Sequence, residues 1–177
     1  MLPEAHAGVA IPPHVQGRSL RNVGAGNNTG WRTTLAGEFH QHGERPFFPR
    51  RALRDSRYQI IHNLLAGKLK INFGVDGDTA GEVIKTAAYQ DTPVRKAMEL
   101  MADPPEWELY DLEADPWEFH NLSADPAHAA TLKRMQGLLH DWQVETRDPF
   151  LDSAVLAKMN AEVNGKPGSP TPAPSPE

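Results

Sequence analysis

Acidic and imidazole side chains alternate through the stretch GEFHQHGE, at Glu38, His40, His42 and Glu44. In an extended strand, residues i and i+2 point to the same face, so the two imidazoles could bind one metal ion between flanking carboxylates. The same pattern is typical of the outward, polar face of an edge strand. A third interpretation is that these groups reach into the cleft of a neighbouring domain. The spacing leaves all three interpretations open.

A run of arginines follows, and its members are Arg45, Arg50, Arg51, Arg54 and Arg57. Guanidinium groups suit sulfate, phosphate or carboxylate because their N–H donors are arranged as a fork. The alternative is that these arginines are solvated or paired with acids such as Asp55. We take Arg51 and Arg54 as candidate contacts for an anionic substrate.

Other residues give little sign of catalysis. Trp107, Trp117 and Trp142 could stack on sugar rings, although packing in the core and at its boundary is the commoner role of tryptophan. None of the six serines lies in a Gly-x-Ser-x-Gly context, and no glycine-rich phosphate loop is present. The sequence contains no cysteine, which excludes thiolate chemistry and zinc sites built on cysteine. We therefore predict no catalytic residue and no metal site in this chain.

The composition sets broad limits on the class of protein. A chain of 177 residues is long enough for one domain with a substantial core. The net charge of −5 argues against nucleic acid as a partner. No window approaches the roughly 20 apolar residues of a membrane helix, so no membrane association is predicted. The N-terminal stretch MLPEAHAGVAIPPH lacks the features of a signal peptide, and the compartment is unknown.

The elements that must position these side chains are predicted from periodicity. Strands are expected between Trp31 and Leu65, with a hairpin that turns at Asp55 and Ser56. The stretch DTPVRKAMELMA predicts a helix over residues 91–102. Alternation in WELYDL predicts a half-buried strand that begins at Trp107.

A long helix is predicted after Asp125, which has the character of an N-cap followed by proline. Its apolar residues form one stripe at Leu132, Met135, Leu139 and Trp142, and this stripe must pack on the sheet. Glycine inside a helix costs ~1 kcal/mol relative to alanine, so Gly137 suggests a tight contact between helix and sheet. The predicted fold class is α+β, with a small antiparallel sheet packed against a long C-terminal helix.

Several stretches resemble the C-terminal region of the sulfatases. ELYDLEADPWEFHNLSADP is similar to their C-terminal signature, PRRALRDSRYQIIHNL to the hairpin before it, and VQGRSL to the segment that leaves their catalytic domain. The resemblance covers roughly residues 9–150 and is strongest to the sulfamidase-like branch. The hairpin matches are Pro49, Arg51, Leu53, Arg54, Arg57, Tyr58, Ile61, His62, Asn63 and Leu64. The matches after the helix are Trp142, Gln143, Glu145, Thr146, Asp148 and Pro149, with one residue spaced differently.

The resemblance implies a division of the chain. Sulfatases belong to the alkaline-phosphatase-like superfamily and have a large α/β catalytic domain followed by a smaller subdomain with an antiparallel sheet and a helix. By this comparison, residues 1–30 are a connecting segment from a catalytic domain and residues 31–150 are the C-terminal subdomain. Residues 151–164 are a short helical extension. Residues 165–177 are a Pro/Ser-rich tail that we expect to be disordered because it is poor in apolar side chains.

The resemblance also implies a reaction, which is the hydrolysis of sulfate esters or of N-sulfate groups of sugars. Sulfatases use a formylglycine, made from Cys or Ser in a Cys/Ser-x-Pro-x-Arg motif, beside a calcium ion. This sequence contains neither Cys nor Ser-x-Pro-x-Arg. We therefore expect calcium and formylglycine in a catalytic domain, present in cis or as a separate chain, and no activity from this chain alone. Relatives of full length are often periplasmic, secreted or lysosomal.

The resemblance also assigns residues to the substrate. The segment equivalent to GEFHQHGE lies toward the substrate pocket, so we expect His42, and less strongly His40 and Glu44, to contact a sulfated sugar. An alternative is a freestanding, non-catalytic module that binds sulfated glycans, or a partner chain, through Arg51, Arg54 and His42. A further alternative is a metal-binding module centred on His40 and His42.

Overall fold

The computed structural model describes residues 12, 14, 17, 19–27, 29–42, 46–70 and 79–165. The chain divides into two compact units, residues 1–33 and residues 34–177. Among the described residues of the first unit there is one short helix, α1 (Arg21–Gly24), and the guanidinium of Arg32 lies 5.2 Å from the ring centre of Trp31. The role of residues 1–30 as a connecting segment stays a prediction, and residues 166–177 of the predicted tail lie outside the described residues.

The second unit is built on a four-stranded antiparallel sheet. The strands are β1 (Leu35–Phe39), β2 (Arg50–Arg54), β3 (Tyr58–Asn63) and β4 (Trp107–Asp111), and they lie in the order β1-β2-β3-β4. The helices are α2 (Thr79–Ile84), α3 (Pro93–Ala102), α4 (Ala129–Thr146) and α5 (Ser153–Asn164). The predicted α+β class is confirmed. Within the described residues, no helix has the length and apolar character that crossing a membrane requires.

The main core lies between the sheet and α4. Its five buried members come from three strands and from the predicted helix stripe, and they are Leu53, Ile60, Leu109, Met135 and Leu139. Leu132 and Trp142 are half-buried and pack against this cluster. The predicted stripe and its contact with the sheet are therefore confirmed, and burial of these side chains is the main term that holds α4 in place.

Gly137 does not have the role that we predicted for it. It is exposed on α4, and a Cβ built at this position meets no atom within 4 Å. The prediction of a tight helix–sheet contact at Gly137 is wrong, because the face of α4 that packs on the sheet is the one that carries Met135 and Leu139.

The strand β4 is buried on both faces, whereas the alternation in its sequence predicts a half-buried strand. On the face away from α4, Glu108 is 7% exposed and Tyr110 is 2% exposed. The Tyr110 hydroxyl donates to one oxygen of Glu108, and the amide of Asn63 donates to the other at 2.7 Å. The two oxygens of Glu108 and the Tyr110 hydroxyl can be buried because each takes part in a hydrogen bond, whereas Oδ1 of Asn63 accepts none within the described residues.

The segment after β4 closes the outer edge of the sheet. The N–H of Leu109 donates to Oδ1 of Asn121 at 2.9 Å, and the N–H of Leu122 donates to the Leu109 carbonyl at 2.8 Å. The Ser123 hydroxyl donates to the Trp107 carbonyl at 2.7 Å. The side chains of Asn121 and Ser123 and the backbone of Leu122 therefore take the place of a fifth strand, which protects an edge that would otherwise present unpaired backbone groups.

A second core cluster holds α5 against the strand ends. Its buried members are Phe47, Phe48, Leu65, Phe150 and Leu156. The side chain of Asn164 makes two hydrogen bonds of 2.9 Å with the backbone of Phe47, accepting from its N–H and donating to its carbonyl. The helix α5 lies within residues 151–164, for which the sequence predicts a short helical extension.

The exposed position of Gly137 leads to a prediction about stability. Gly137→Ala should raise the free energy of unfolding by about 0.5–1 kcal/mol, because the site is an exposed helix interior with room for a methyl group. Gly67 provides the matched control, since it also has room for a methyl group but adopts a φ of +70°. Gly67→Ala should lower the free energy of unfolding by about 1 kcal/mol. Urea denaturation measures both, and a destabilised Gly137→Ala protein would contradict the placement of Gly137.

Candidate functional site

A buried ion pair between Arg51 and Asp148 lies at the centre of the site. Arg51 is 0% exposed, and its Nε and Nη2 donate to the two carboxylate oxygens of Asp148 at 2.6 and 2.7 Å. This two-point geometry is the strongest form of a guanidinium–carboxylate contact. It joins the strand β2 to the segment that follows α4.

The end of α4 positions the carboxylate of Asp148. The helix is terminated by Arg147 in the left-handed conformation, with φ of 55° and ψ of 47°. Asp148 then caps the 3₁₀ turn Pro149–Leu151 by accepting the N–H of Phe150 at 3.0 Å. The amide of Gln143, one turn back on α4, donates to Asp148 at 2.8 Å.

The surroundings of Asp148 lower its pKa. Burial alone favours the neutral acid, but the hydrogen bonds from Arg51, Gln143 and the Phe150 N–H outweigh it and lower the pKa of Asp148 to about 2. Asp148 is therefore ionised at neutral pH, and Arg51 keeps its counter-charge.

Glu38 and His40 lie beside this pair. Glu38 is opposite Arg51 in the β1–β2 register, and its Oε2 is 3.6 Å from Nη2 of Arg51. The Nε2 of His40 is 3.7 Å from the same oxygen. The imidazole of His40 packs edge-on against Phe150, with ring centres 5.2 Å apart. His40 thus lies between Glu38 and Phe150, at the start of the loop after β1.

The alternating residues Glu38, His40, His42 and Glu44 are only partly brought together. The strand β1 ends at Phe39, so the alternation of faces does not extend to His42 and Glu44. His42 is exposed, and Glu44 lies outside the described residues. Among the described residues, no group of three or more His, Asp or Glu side chains is arranged to hold a metal ion.

The two candidate arginines have different environments. Arg51 and Arg54 are three positions apart in β2, so their side chains point to opposite faces of the sheet. Arg51 faces α4, and its guanidinium is bound to Asp148. We therefore assign Arg51 a positioning role. Arg54 is exposed, and its contact with substrate stays a prediction. Arg57 is paired with Asp111 at 2.7 Å.

The structure adds His62, which the sequence analysis did not single out as a site residue. Its imidazole stacks on the ring of Trp107, with centres 3.8 Å apart and planes 10° apart. Burial lowers the pKa of His62, and Glu106, with Oε1 3.6 Å from Nε2, partly opposes that effect. The signal in the sequence is weak, because His62 and Trp107 meet only through the β3–β4 register.

Comparison with known proteins shows what this chain is similar to. The chain is 31% identical over 144 residues to human N-sulphoglucosamine sulphohydrolase, and the match covers 78% of this chain and 28% of that protein. The chain is a relative of the sulfatases, similar to their C-terminal region. No protein-family model matches it. The chain spans about a quarter of the length of this relative.

Solved sulfatase structures share the fold. A 2-O GAG sulfatase superposes with a TM-score of 0.53 at 23% identity, covering 81% of this chain and 23% of that chain. A putative sulfatase from Bacteroides thetaiotaomicron gives the same values. A structure in complex with its substrate, D-glucosamine-2-N,6-O-disulfate, has a TM-score of 0.52 at 22% identity, covering 80% of this chain and 22% of that chain. The chain therefore shares its fold with a part of these solved structures.

The buried pair leads to a prediction about stability. Asp148→Asn should lower the free energy of unfolding by ~3–5 kcal/mol, because it removes the two-point partner of the buried Arg51 guanidinium and leaves only the longer contact of 3.6 Å to the exposed Glu38. Asp141→Asn makes the same chemical change at an exposed position of α4 and should stay within about 0.5 kcal/mol of the unsubstituted protein. Urea denaturation at neutral pH measures both. Equal, small effects would contradict the importance of the pair.

The same variant has a predictable pH dependence. The pKa of Asp148 is about 2 in the folded chain, and an unfolded aspartate has a pKa of about 3.9. A depressed folded pKa adds stability above the unfolded pKa, and this contribution is lost as the pH falls toward 2. The difference in stability between the unsubstituted protein and Asp148→Asn should shrink between about pH 4 and pH 2. A difference that does not change with pH would contradict this assignment.

Proposed function

We propose that this chain is the C-terminal subdomain of a sulfamidase-like sulfatase, which hydrolyses sulfate esters or N-sulfate groups of sugars, and that it braces and borders the active-site cleft. The match to human N-sulphoglucosamine sulphohydrolase carries the proposal, because it covers 78% of this chain but only 28% of that protein. The remainder of such an enzyme is much larger than this chain.

The chemistry of the reaction belongs to that remainder. This sequence contains neither Cys nor Ser-x-Pro-x-Arg, so the formylglycine and its calcium ion would be supplied by a catalytic domain, in cis or as a separate chain. The sulfated glucosamine bound to one relative of the same fold supports a sulfated sugar as substrate. In this proposal, the residues of this chain help to bind and position the substrate.

One face of the sheet suits contact with a catalytic domain. Leu35 is 55% exposed and Phe39 is 44% exposed, and both lie on the face of β1 away from α4. The half-buried Ala52 and Ile61 continue that face on β2 and β3. In the register, Leu35 is opposite Arg54 and Phe39 is opposite Arg50, so this face combines exposed apolar side chains with arginines. Exposed apolar side chains on one face are typical of an interface.

The proposed substrate contact lies at one end of this face. His42 follows Phe39 by three residues and is exposed, so a domain that covered Phe39 would be close to the His42 loop. His40 and the Arg51–Asp148 pair hold the start of that loop, because His40 packs on Phe150, two residues after Asp148. In this proposal, His42 contacts the sulfated sugar, and Arg51 acts by positioning.

A non-catalytic module that binds sulfated glycans or a partner chain is the second candidate. The observation that favours it is that the described residues of the second unit contain two core clusters, and that α3, the turn Pro149–Leu151 and α5 each begin with a side-chain N-cap. In that case, the exposed Arg54 and His42 would be the anion contacts.

The proposed interface can be tested on the chain itself. The unsubstituted chain should bind an apolar fluorescent dye, and Leu35→Ser with Phe39→Ser should lower the dye signal because it removes the exposed apolar face. Val144→Ser is the matched control, since Val144 is 55% exposed on α4 and lies outside that face. A dye signal that is unchanged in the double variant would contradict the interface.

The proposal that catalysis depends on another domain gives a second test. The isolated chain should release no sulfate from N-sulfated glucosamine or from an aryl sulfate, because it lacks the nucleophile. Sulfate release by the purified chain, measured by ion chromatography, would contradict the proposal that catalysis depends on another domain.

A further inference from the structure

A cleft of about 420 Å³ opens between α4 and one end of the sheet. Gln136, His140 and Gln143 of α4 line one wall, His62 and Trp107 line the other, and Phe150 lies at one end. This volume falls in the range of small-molecule sites. The cleft consists of residues from the second unit alone.

Polar side chains of α4 form one wall of the cleft. Gln136, His140 and Gln143 follow each other at i, i+4 and i+7, so they share one face of α4 beside the apolar stripe. Gln143 is 5% exposed, and its amide is fixed by a hydrogen bond of 2.8 Å to Asp148. The Arg51–Asp148 pair therefore also orients one group of this wall.

The sheet wall offers stacked rings. The imidazole of His62 lies flat on Trp107 at 3.8 Å, and its Nδ1 makes no hydrogen bond within the described residues. Because burial lowers the pKa of His62, this imidazole is neutral at physiological pH. A neutral imidazole both donates and accepts hydrogen bonds.

The chemistry of the walls selects a class of ligand. The residues that line the cleft are two histidines, two glutamines, Trp107, Phe150 and the two leucines Leu64 and Leu151, and none of them is Lys, Arg, Asp or Glu. Carboxamides and imidazoles pair with hydroxyl groups, and aromatic rings cover the apolar face of a ring ligand. A charged ligand would find no counter-charge on the walls.

We propose that this cleft binds an uncharged, hydroxylated ring of the monosaccharide class. The site goes beyond the proposed function, because it shares no residue with His42 or Arg54 and needs no catalytic domain. It is a second sugar site, formed entirely by this chain, beside the helix α4.

The full chain can be titrated with glucose and N-acetylglucosamine as uncharged probes and with inorganic sulfate as the charged probe, followed by ¹H–¹⁵N NMR. We expect saturable shifts at His62, Trp107 and residues 136–143 with at least one uncharged sugar, and none there with sulfate. No saturable shift at these residues with either sugar would overturn the proposal, and so would tighter binding of sulfate.

Two exposed or half-buried positions allow a test that does not disturb the core. Gln136→Ala combined with His140→Ala should weaken sugar binding by about tenfold or more, since each removes one hydrogen-bonding group from the wall. His120→Ala is the control, because His120 is an exposed histidine that does not line the cleft. Unchanged affinity in the double variant would overturn the assignment. If no sugar binds to the cleft, the dye-binding test of the interface at Leu35 and Phe39 is unaffected. The two experiments therefore test the sugar site and the proposed function independently.

Discussion

The charge of Arg51 inside the protein is the constraint on which the site depends. A fully buried guanidinium is stable only if a carboxylate meets it with good geometry and the remaining polar atoms are satisfied. Asp148 meets this requirement from a position 97 residues further along the chain. The left-handed residue that ends α4, the turn after it and the ring of Phe150 beside the guanidinium are all arranged around this contact. The sheet, the end of α4 and the start of the His42 loop are therefore tied at one point.

Local periodicity predicts much of this fold and none of that contact. The hairpin at Asp55, the strand β4 and the apolar stripe of α4 follow from patterns within 20 residues, and all three are present. The Arg51–Asp148 pair has no local signature, since any acid in the chain could pair with a strand arginine. For Gly137, the cost of glycine in a helix suggested a packing contact that the structure does not contain. Gly137 is exposed, and a methyl group at this position would meet no neighbour. The burial of Glu108 and Tyr110 depends on hydrogen bonds between strands, which alternation alone cannot reveal.

The candidate site was predicted only in part, because alternation in the sequence indicates a shared face only within a strand. The alternation of Glu38, His40 and His42 has meaning only while the strand lasts, and β1 ends at Phe39. Beyond that point the Phe48 N–H donates to the His40 carbonyl at 2.9 Å, and the His40 ring packs on aromatic side chains. The sulfatase relationship, which residues such as those of ELYDLEADP indicate, is supported by sequence and fold together. The cleft beside His62 depends on the β3–β4 register and on a polar stripe of α4, and neither is visible in a linear motif.

The central claim is that this chain acts as one part of a larger sulfatase. The most direct test is to isolate the native protein under non-denaturing conditions with an antibody raised against residues 107–146, and to measure sulfate release and peptide content together. We predict release of sulfate from N-sulfated glucosamine, and peptides that contain a Cys/Ser-x-Pro-x-Arg motif, either in a chain far above 19.5 kDa or in a bound partner. Recovery of the 19.5 kDa chain alone, without such peptides and without sulfate release, would contradict the account.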